Sequence, residues 1–260
     1  MFCIFFKFIF SQNQEARNSS IDSDGELDSN VPPLMRAISD ESTANNTPAP
    51  ERRISNGMRG SIINQIIASI ITSETLYVEC LNKMVQYMKA IRATLTTSQP
   101  VISEEDFQTM FYKIEDLNAI HSRFLNELKD KQRSNPDGDV QVGEIFRGLA
   151  QNIHYYGAFL HNYGRAIDTV KKCGVNSTQF KEIVSKIILN SQNEQSLTLE
   201  DLLHKPVARV QKNALVLQDL LQHTPESHPD YQPLKQAHKI NRNFLSEFNV
   251  IRTKGFPSVS

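Results

Sequence analysis

The sequence predicts an all-α protein, an elongated helical bundle of about 200 residues behind a disordered N-terminal tail. Apolar residues recur at three- and four-residue steps over several long stretches, which is the pattern of a helix with one buried face. No stretch alternates apolar and polar residues for long, as a half-buried strand would. No internal repeat is evident, so a bundle is favoured over a solenoid.

Charge and cysteine content exclude some classes of protein. The chain has 28 Lys and Arg residues against 29 Asp and Glu, whereas general nucleic-acid binding needs an excess of cations. The three cysteines, Cys3, Cys80 and Cys173, are far apart and form no CxxC motif. This predicts neither a disulfide framework nor a zinc cluster and favours a reducing, cytoplasmic compartment, with recruitment to a membrane or the cytoskeleton left open.

The first 57 residues are predicted to be a disordered tail with a short apolar start. The opening "MFCIFFKFIF" is too short to span a bilayer and favours a weak membrane anchor over a secretory signal. Residues 11–57 are rich in Ser, Asp, Glu, Asn, Thr and Pro and cannot bury enough apolar surface to fold. Within them "RRIS" resembles a basophilic kinase site at Ser55, although an unmodified linker is the simpler reading.

The folded domain is predicted over residues 58–254, with a C-terminal tail at 255–260. The first long helix is expected from Ser61, acting as N-cap, to about residue 95. A second runs from Ser103, close to a capping box with Asp106, to about residue 132.

Further helical runs follow. The pattern predicts helices from Val142 to about Lys172, over "STQFKEIVSKIIL", from about residue 197 to the "HTP" turn, and from about residue 232 to 252. Because Pro206 lies inside the third of these stretches, a kink or break is expected near Lys205.

Motifs for catalysis are absent. The chain has no HExxH, Walker loop, GxGxxG or GxSxG, so neither enzyme chemistry, a metal nor a cofactor is expected. Two features point instead to a surface for a partner. Glu74 borders an apolar helix stripe, and Lys205, Arg209 and Lys212 recur at i, i+4 and i+7, on one side of a helix. The opposite side of that helix is expected to be buried. It carries Leu202, Leu203, Val210, Leu215, Leu217, Leu220 and Leu221.

Three blocks together resemble the Dbl-homology (DH) domain of Rho-family guanine nucleotide exchange factors. "IINQIIASIITSETLYVECL" is similar to the family's opening helix, with its Thr/Ser-Glu-x-x-Tyr-Val pattern followed by Leu. "FQTMFYKIEDLNAIHSRFLNELKD" is similar to its Leu/Met-Phe-x-x-Ile-x-x-Leu-x-x-x-His segment. "LTLEDLLHKPVARVQKNALVLQDLLQHTPESHPDYQPLKQA" resembles its most distinctive helix, which carries Leu-x-x-Leu-Lys-Pro-x-Gln-Arg and ends in His-Thr-Pro-x-x-His-Pro-Asp. The blocks stand in the family's order between about residues 61 and 253.

The resemblance implies an exchange factor that stabilises the nucleotide-free state of a Rho-family GTPase, so that GDP leaves and GTP loads. Carried over by motif position, Glu74 would contact the first switch segment of the GTPase. Lys212 and Asn249 would reach the second switch. His204 stands where the family often reads which GTPase is present, and Lys205 and Arg209 would either hold their helix or steer the acidic partner.

Departures from the family pattern leave alternatives open. Ala208 replaces the usual Gln, and Asn213 and Ala214 replace Tyr and Pro, so a catalytically weak pseudo-exchange factor acting as a GTPase-binding scaffold is the main alternative. A helical membrane-binding module is more distant because the charge balance is near neutral. No pleckstrin-homology domain is found before Ser260, so membrane contact is expected to be indirect. As the GTPase partner, Rho is favoured over Rac, on the similarity of the third block alone.

Overall fold

The computed structural model describes residues 56–135, 140–189 and 197–254. All regular structure in these ranges is helical, which confirms the predicted class, and the helices are α1 Asn56–Leu95, α2 Glu104–Met110, α3 Ile114–Ser134, α4 Gly143–Gln151, α5 Ile153–Asn176, α6 Thr178–Leu189, α7 Leu199–His223 and α8 Tyr231–Lys254. Residues 1–55 of the predicted N-terminal tail, Ser55 among them, and the predicted C-terminal tail at 255–260 lie outside the described residues.

The first helix begins earlier than the sequence pattern indicates. α1 starts at Asn56, so the prediction of Ser61 as its N-cap is wrong. Ser61 already lies in the second turn, where helical backbone continues on both sides of it. A polar residue before an apolar run marks a helix start only if the chain upstream is not helical.

Two predicted helices are each divided by a short turn. Ser103 caps α2 as expected, its Oγ accepting from Asp106 N at 3.0 Å, but α2 ends at Met110. Lys113 then adopts a left-handed backbone, with φ of 66°, and α3 begins immediately after it. The third predicted helix is divided at Asn152 into α4 and α5. Neither break occurs at Gly or Pro, although Asn152 is of a residue type favoured at helix caps and turns.

α7 continues through its internal proline. Pro206 lies inside the helix Leu199–His223, so the predicted break near Lys205 is wrong. Proline removes one helix hydrogen bond, but Pro206 is buried and the helix continues on both sides of it. The N-terminus of α7 is also stabilised, because Thr198 and Asp201 form a reciprocal capping box.

Two apolar clusters form the core, and α1 passes through both. One cluster joins the second half of α1 to α2, α5 and the first half of α7. The other joins the first half of α1 to α3, α4, the second half of α7 and α8. Because the first half of α1 meets the second half of α7, these two helices run in opposite directions. Their contact line brings residues near position 74 beside residues near position 209.

A buried aspartate ties the start of α4 to the start of α8. Asp230 Oδ2 accepts from Val142 N at 2.6 Å, across 88 residues of chain, and the residue is 6% exposed. The carboxylate therefore satisfies a helix N-terminus and complements its dipole. Gly143 allows this close approach, since a Cβ there would lie 2.7 Å from Asp230 Oδ1 and 3.0 Å from its backbone oxygen.

Few large apolar side chains reach the surface of the described part of the chain. Leu76, Tyr112, Val175 and Leu215 are exposed. The prediction that Leu215 is buried is therefore wrong, because it lies on the outer side of α7, where it is 65% exposed. Among the helices in the described ranges, none has the length and apolar character that crossing a membrane requires.

Replacing Gly143 by Ala is expected to lower the free energy of unfolding by about 1 to 3 kcal/mol, because the added methyl forces Asp230 away from the start of α4. Gly164→Ala is the matched control. No atom lies within 4 Å of a Cβ at Gly164, so alanine there gains about 0.5 to 1 kcal/mol of helix stability. Urea unfolding followed by circular dichroism measures both, and equal effects of the two substitutions would contradict the proposed tie.

Candidate functional site

The side chain of Glu74, on α1, is fully buried and has hydrogen-bond partners on two sides. His121 Nδ1, on α3, lies 2.6 Å from Glu74 Oε1. Arg209 Nη2, on α7, donates to Glu74 Oε2. Both carboxylate oxygens are thus engaged while the exposed fraction of the residue is 0%. A buried charge of this kind is tolerated only when it is paired and hydrogen-bonded.

Arg209 is the partner that connects α7 to α1. Besides its contact with Glu74, it donates from Nη1 to Ser73 Oγ at 2.9 Å, and its guanidinium lies 5.2 Å from the centre of the Tyr77 ring. With 5% of its surface exposed, it is a buried residue. The placement favours the first of the two roles that the sequence left open for Arg209, that of holding its helix.

A chain of hydrogen bonds continues behind Glu74. His121 Nε2 lies 2.7 Å from the hydroxyl of Tyr156, on α5, and this hydroxyl lies 3.2 Å from that of Tyr77, on α1. Burial raises the pKa of both phenols, so both remain protonated at neutral pH. The cluster of Glu74, Tyr77, His121, Tyr156 and Arg209, here called the Glu74 network, therefore connects four helices.

Hydrogen-bond accounting assigns the protons of the Glu74 network. The carboxylate accepts, so His121 donates to it from Nδ1–H. In the neutral ring Nε2 then accepts from Tyr156, whose oxygen accepts from Tyr77. Every donor in this direction has an acceptor. The opposite direction, starting from a protonated ring, would leave the buried Tyr77 hydroxyl donating to no group of the network.

Lys212 presents the exposed charge of the site. It is three residues beyond Arg209 on α7 and its side chain is exposed. Partial desolvation of its ammonium group lowers the pKa of Lys212, and the nearby positive charge of Arg209 lowers it further. The Glu74 carboxylate acts in the opposite direction and raises that pKa. Because Arg209 pairs with Glu74 and Lys212 follows Arg209 by three residues on α7, the two predicted residues from the first and third blocks belong to one neighbourhood.

The other residues of the cationic stripe have different surroundings. Lys205 is half-buried, and its charge lowers the pKa of the Cys80 thiol on α1, although burial raises that pKa more. With Arg209 buried and Lys212 exposed, the stripe follows the edge of the α1–α7 contact and is not a uniform solvated face.

His204 directly precedes Lys205 on α7, and its side chain contacts α5. Its ring is hydrogen-bonded by the Tyr163 hydroxyl, and the two ring centres are 5.4 Å apart. Burial lowers the pKa of His204, while the charges of Asp201 and Glu200 act against that shift. The role of His204 in reading partner identity stays a prediction.

Asn249 belongs to α8, which packs against α7, but the position of its side chain lies outside what the structure describes. Of the three departures from the family pattern, Ala208 is exposed, whereas Asn213 and Ala214 are buried at 6% and 9% exposure. The last two therefore change the packing under the site and not its outer surface.

Sequence reasoning missed four members of the site, one of them Tyr77, which belongs to the apolar stripe of α1. His121, Tyr156 and Ser73 were not selected because their partners lie 47, 35 and 136 residues away in the chain. The second block does contain His121 at the position where the family pattern has His. That match was the one available signal.

The family comparison decides the assignment. A family model of the RhoGEF domain matches residues 66–249, and this range contains every predicted site residue from Glu74 to Asn249. The chain belongs to the RhoGEF domain family. The matched range also runs from α1 to α8, so the Glu74 network lies entirely inside the RhoGEF domain.

Similar full-length proteins are much longer than this chain. It is 35% identical over 228 residues to the active breakpoint cluster region-related protein of Xenopus laevis, covering 84% of this chain and 26% of that protein. It is 40% identical over 191 residues to the breakpoint cluster region protein of Rattus norvegicus, covering 71% of this chain and 15% of that protein. The "Guanine exchange factor for Rac 30" of Dictyostelium discoideum is 29% identical, over 72% of this chain and 11% of that protein.

A solved structure supports the fold. The DH/PH domains of PDZ-RhoGEF, in complex with RhoA activated by GTP-γ-S, match with a TM-score of 0.60 at 15% identity, over 76% of this chain and 55% of that one. At this identity the likeness establishes a DH-type helical fold for the RhoGEF domain described here.

Tyr156→Phe is expected to lower the free energy of unfolding by about 1 to 3 kcal/mol, because His121 and Tyr77 each lose a buried hydrogen-bond partner. The control is Tyr87→Phe. Tyr87 is equally buried, and its hydroxyl has no hydrogen-bond partner among the described residues, so its removal should cost nothing or stabilise. Chemical denaturation of the full chain measures both variants, and a similar loss in each would argue against the proton assignment.

The free energy of unfolding should fall as the pH drops through about 6.5, partly because His204 becomes protonated on unfolding. Its folded pKa is lowered, so the unfolded chain binds the extra proton first and acid favours unfolding. Between pH 7.5 and 5.5 the wild type should lose more thermal stability than His204→Gln, in which this group cannot titrate. Identical losses in the two proteins would remove His204 as a contributor.

Proposed function

We propose that this RhoGEF domain is a guanine nucleotide exchange factor that binds a Rho-family small GTPase and promotes release of its GDP and loading of GTP. The observation that carries the proposal is the junction of α1 and α7, where Glu74 and Lys212 lie in one neighbourhood around Arg209. Family membership supplies the partner class.

The proposed mechanism makes and breaks no covalent bond. The domain binds the nucleotide-free GTPase more tightly than the loaded form, so part of the binding energy is used to open the nucleotide site. Reciprocity then requires that bound nucleotide weaken the complex by the same factor. A surface suited to this task holds its contact groups in fixed positions before the partner arrives.

The residues of the site divide into an exposed and a buried set. Lys212 and Leu215 are exposed three residues apart on α7, so a charge and an apolar group face outward together for the second switch segment. Glu74 is buried, so its proposed contact with the first switch requires that groups of the GTPase replace a hydrogen bond from His121 or Arg209. Asn249 on α8 is proposed to complete the contact.

The proposed partner is Rho in preference to Rac, on the resemblance of the third block. One relative is named for Rac, so the assay that tests the proposal uses both kinds of GTPase.

A second candidate function is a GTPase-binding scaffold with weak exchange. The observation that favours it is the burial of Asn213 and Ala214, where the family pattern has Tyr and Pro. A smaller and more polar pair there weakens the packing that supports Lys212 and Leu215. The scaffold would bind a nucleotide-free GTPase without accelerating release.

Exchange is tested by release of a fluorescent GDP analogue from a panel of Rho and Rac GTPases. Lys212→Ala should slow GDP release about tenfold, because losing one charge-assisted contact costs about 1.5 kcal/mol. The midpoint of thermal unfolding should not change, since the Lys212 side chain is exposed. Lys181→Ala, at an exposed lysine on α6, is the matched control and should have no effect.

Lys212 is a sharper test than Glu74. Removal of the Glu74 carboxylate should also slow release about tenfold or more. It would, however, leave Arg209 buried without its partner, at a cost of about 3 to 5 kcal/mol of folding stability. Binding without release in the wild type would favour the scaffold, and no binding to any GTPase of the panel would contradict both functions.

A further inference from the structure

The Glu74 network extends behind the junction of α1 and α7, to side chains on α3 and α5. Tyr156 is 4% exposed and His121 is 0% exposed, on α5 and α3 respectively. Glu74 is equally buried but lies on α1, at the junction with α7 proposed to face the GTPase, whereas these two side chains come from helices behind that junction. Their hydrogen bonds nevertheless lead to the carboxylate of Glu74.

The ring of His121 is held in one orientation by aromatic edges. The Tyr77 ring meets it at 4.8 Å between centres and an angle of 88°, and the Tyr156 ring meets it at 5.7 Å and 86°. Phe124 makes a third edge contact, at 6.3 Å and 78°. A ring flip would exchange the nitrogen that faces Glu74 for a carbon, and these three rings oppose it by packing.

The hydroxyl of Tyr156 reinforces the tautomer that the Glu74 carboxylate already favours in that fixed ring. Because it donates to Nε2, the proton of neutral His121 is kept on Nδ1, where it points to Glu74. Without this hydroxyl the proton can move to Nε2. Nδ1 would then present a lone pair to the carboxylate, and Glu74 would turn away from the geometry it now has.

We propose that Tyr156 and His121 are positioning residues for nucleotide exchange, which hold the Glu74 carboxylate in a single orientation before the GTPase arrives. The inference rests on the proposed function and deepens it. It assigns to the second block, which supplies His121, the task of orienting the acid supplied by the first block. Tyr156, which lies outside all three blocks, becomes part of the exchange site.

The test compares rates of GDP release over a range of domain concentrations for the wild type, Tyr156→Phe and Tyr87→Phe. Loss of one buried hydrogen bond should lower kcat in Tyr156→Phe about fivefold to thirtyfold. The apparent KM should stay within about twofold, since the outer contacts of α7 are intact. Tyr87→Phe should match the wild type, because the Tyr87 hydroxyl is equally buried but lies outside the Glu74 network.

A double-mutant cycle with Glu74→Gln separates positioning from general destabilisation. If Tyr156 acts through Glu74, Tyr156→Phe should have little further effect on exchange in the Glu74→Gln background. If the two effects multiply, Tyr156 acts by another route and the inference is overturned. Full activity of a folded Tyr156→Phe protein overturns it as well.

Nitrogen NMR of a histidine-labelled chain gives a readout that does not depend on exchange. His121 should show the Nδ1–H tautomer in the wild type and a mixture in Tyr156→Phe, with Tyr87→Phe unchanged. A wild type that is inactive on every GTPase contradicts the proposed function. The nitrogen spectrum then judges the positioning alone, and a mixed tautomer in the wild type rejects it.

Discussion

The structure of this domain depends on a carboxylate that is held away from water. Glu74 lies at 0% exposure in the middle of α1, and its charge persists there because Arg209 and His121 come to it from two other helices. An isolated charge in such a place would cost far more than a typical domain's net stability. The packing of α1 against α3 and α7 is therefore constrained to the one arrangement in which both partners reach the same group.

The same constraint places the Glu74 network between the two apolar clusters of the core. Tyr77 and Tyr156 belong to one cluster, and Phe124, which meets the His121 ring, belongs to the other. Exposed groups on α7 are separated from this core by a single helical turn. As a result, stability and partner contact are divided between neighbouring residues of one helix, with Arg209 turned inward and Lys212 turned outward.

The sequence predicted the helical class, most helix positions and the Glu74–Lys212 pair, because periodicity and block resemblance are local signals. It could not predict the left-handed Lys113, since lysine is not a usual turn residue. The division at Asn152 carried a weak signal, because asparagine is favoured at helix caps but also occurs inside helices. Pro206 shows the reverse case, in which a local breaker is overridden by burial. The surroundings of Glu74 were hidden because His121 and Arg209 are 47 and 135 residues away.

The bond between Asp230 and the start of α4 has a consequence for the order of events on the ribosome. Its two ends are separated by 88 residues, which take roughly 4 to 18 seconds to translate at about 5 to 20 residues per second. During that interval the amide of Val142 has no carboxylate to accept its hydrogen bond, and α4 has no α8 to cover it. The nascent chain must keep this helix end hydrated, so tertiary closure of the domain awaits the emergence of its final quarter.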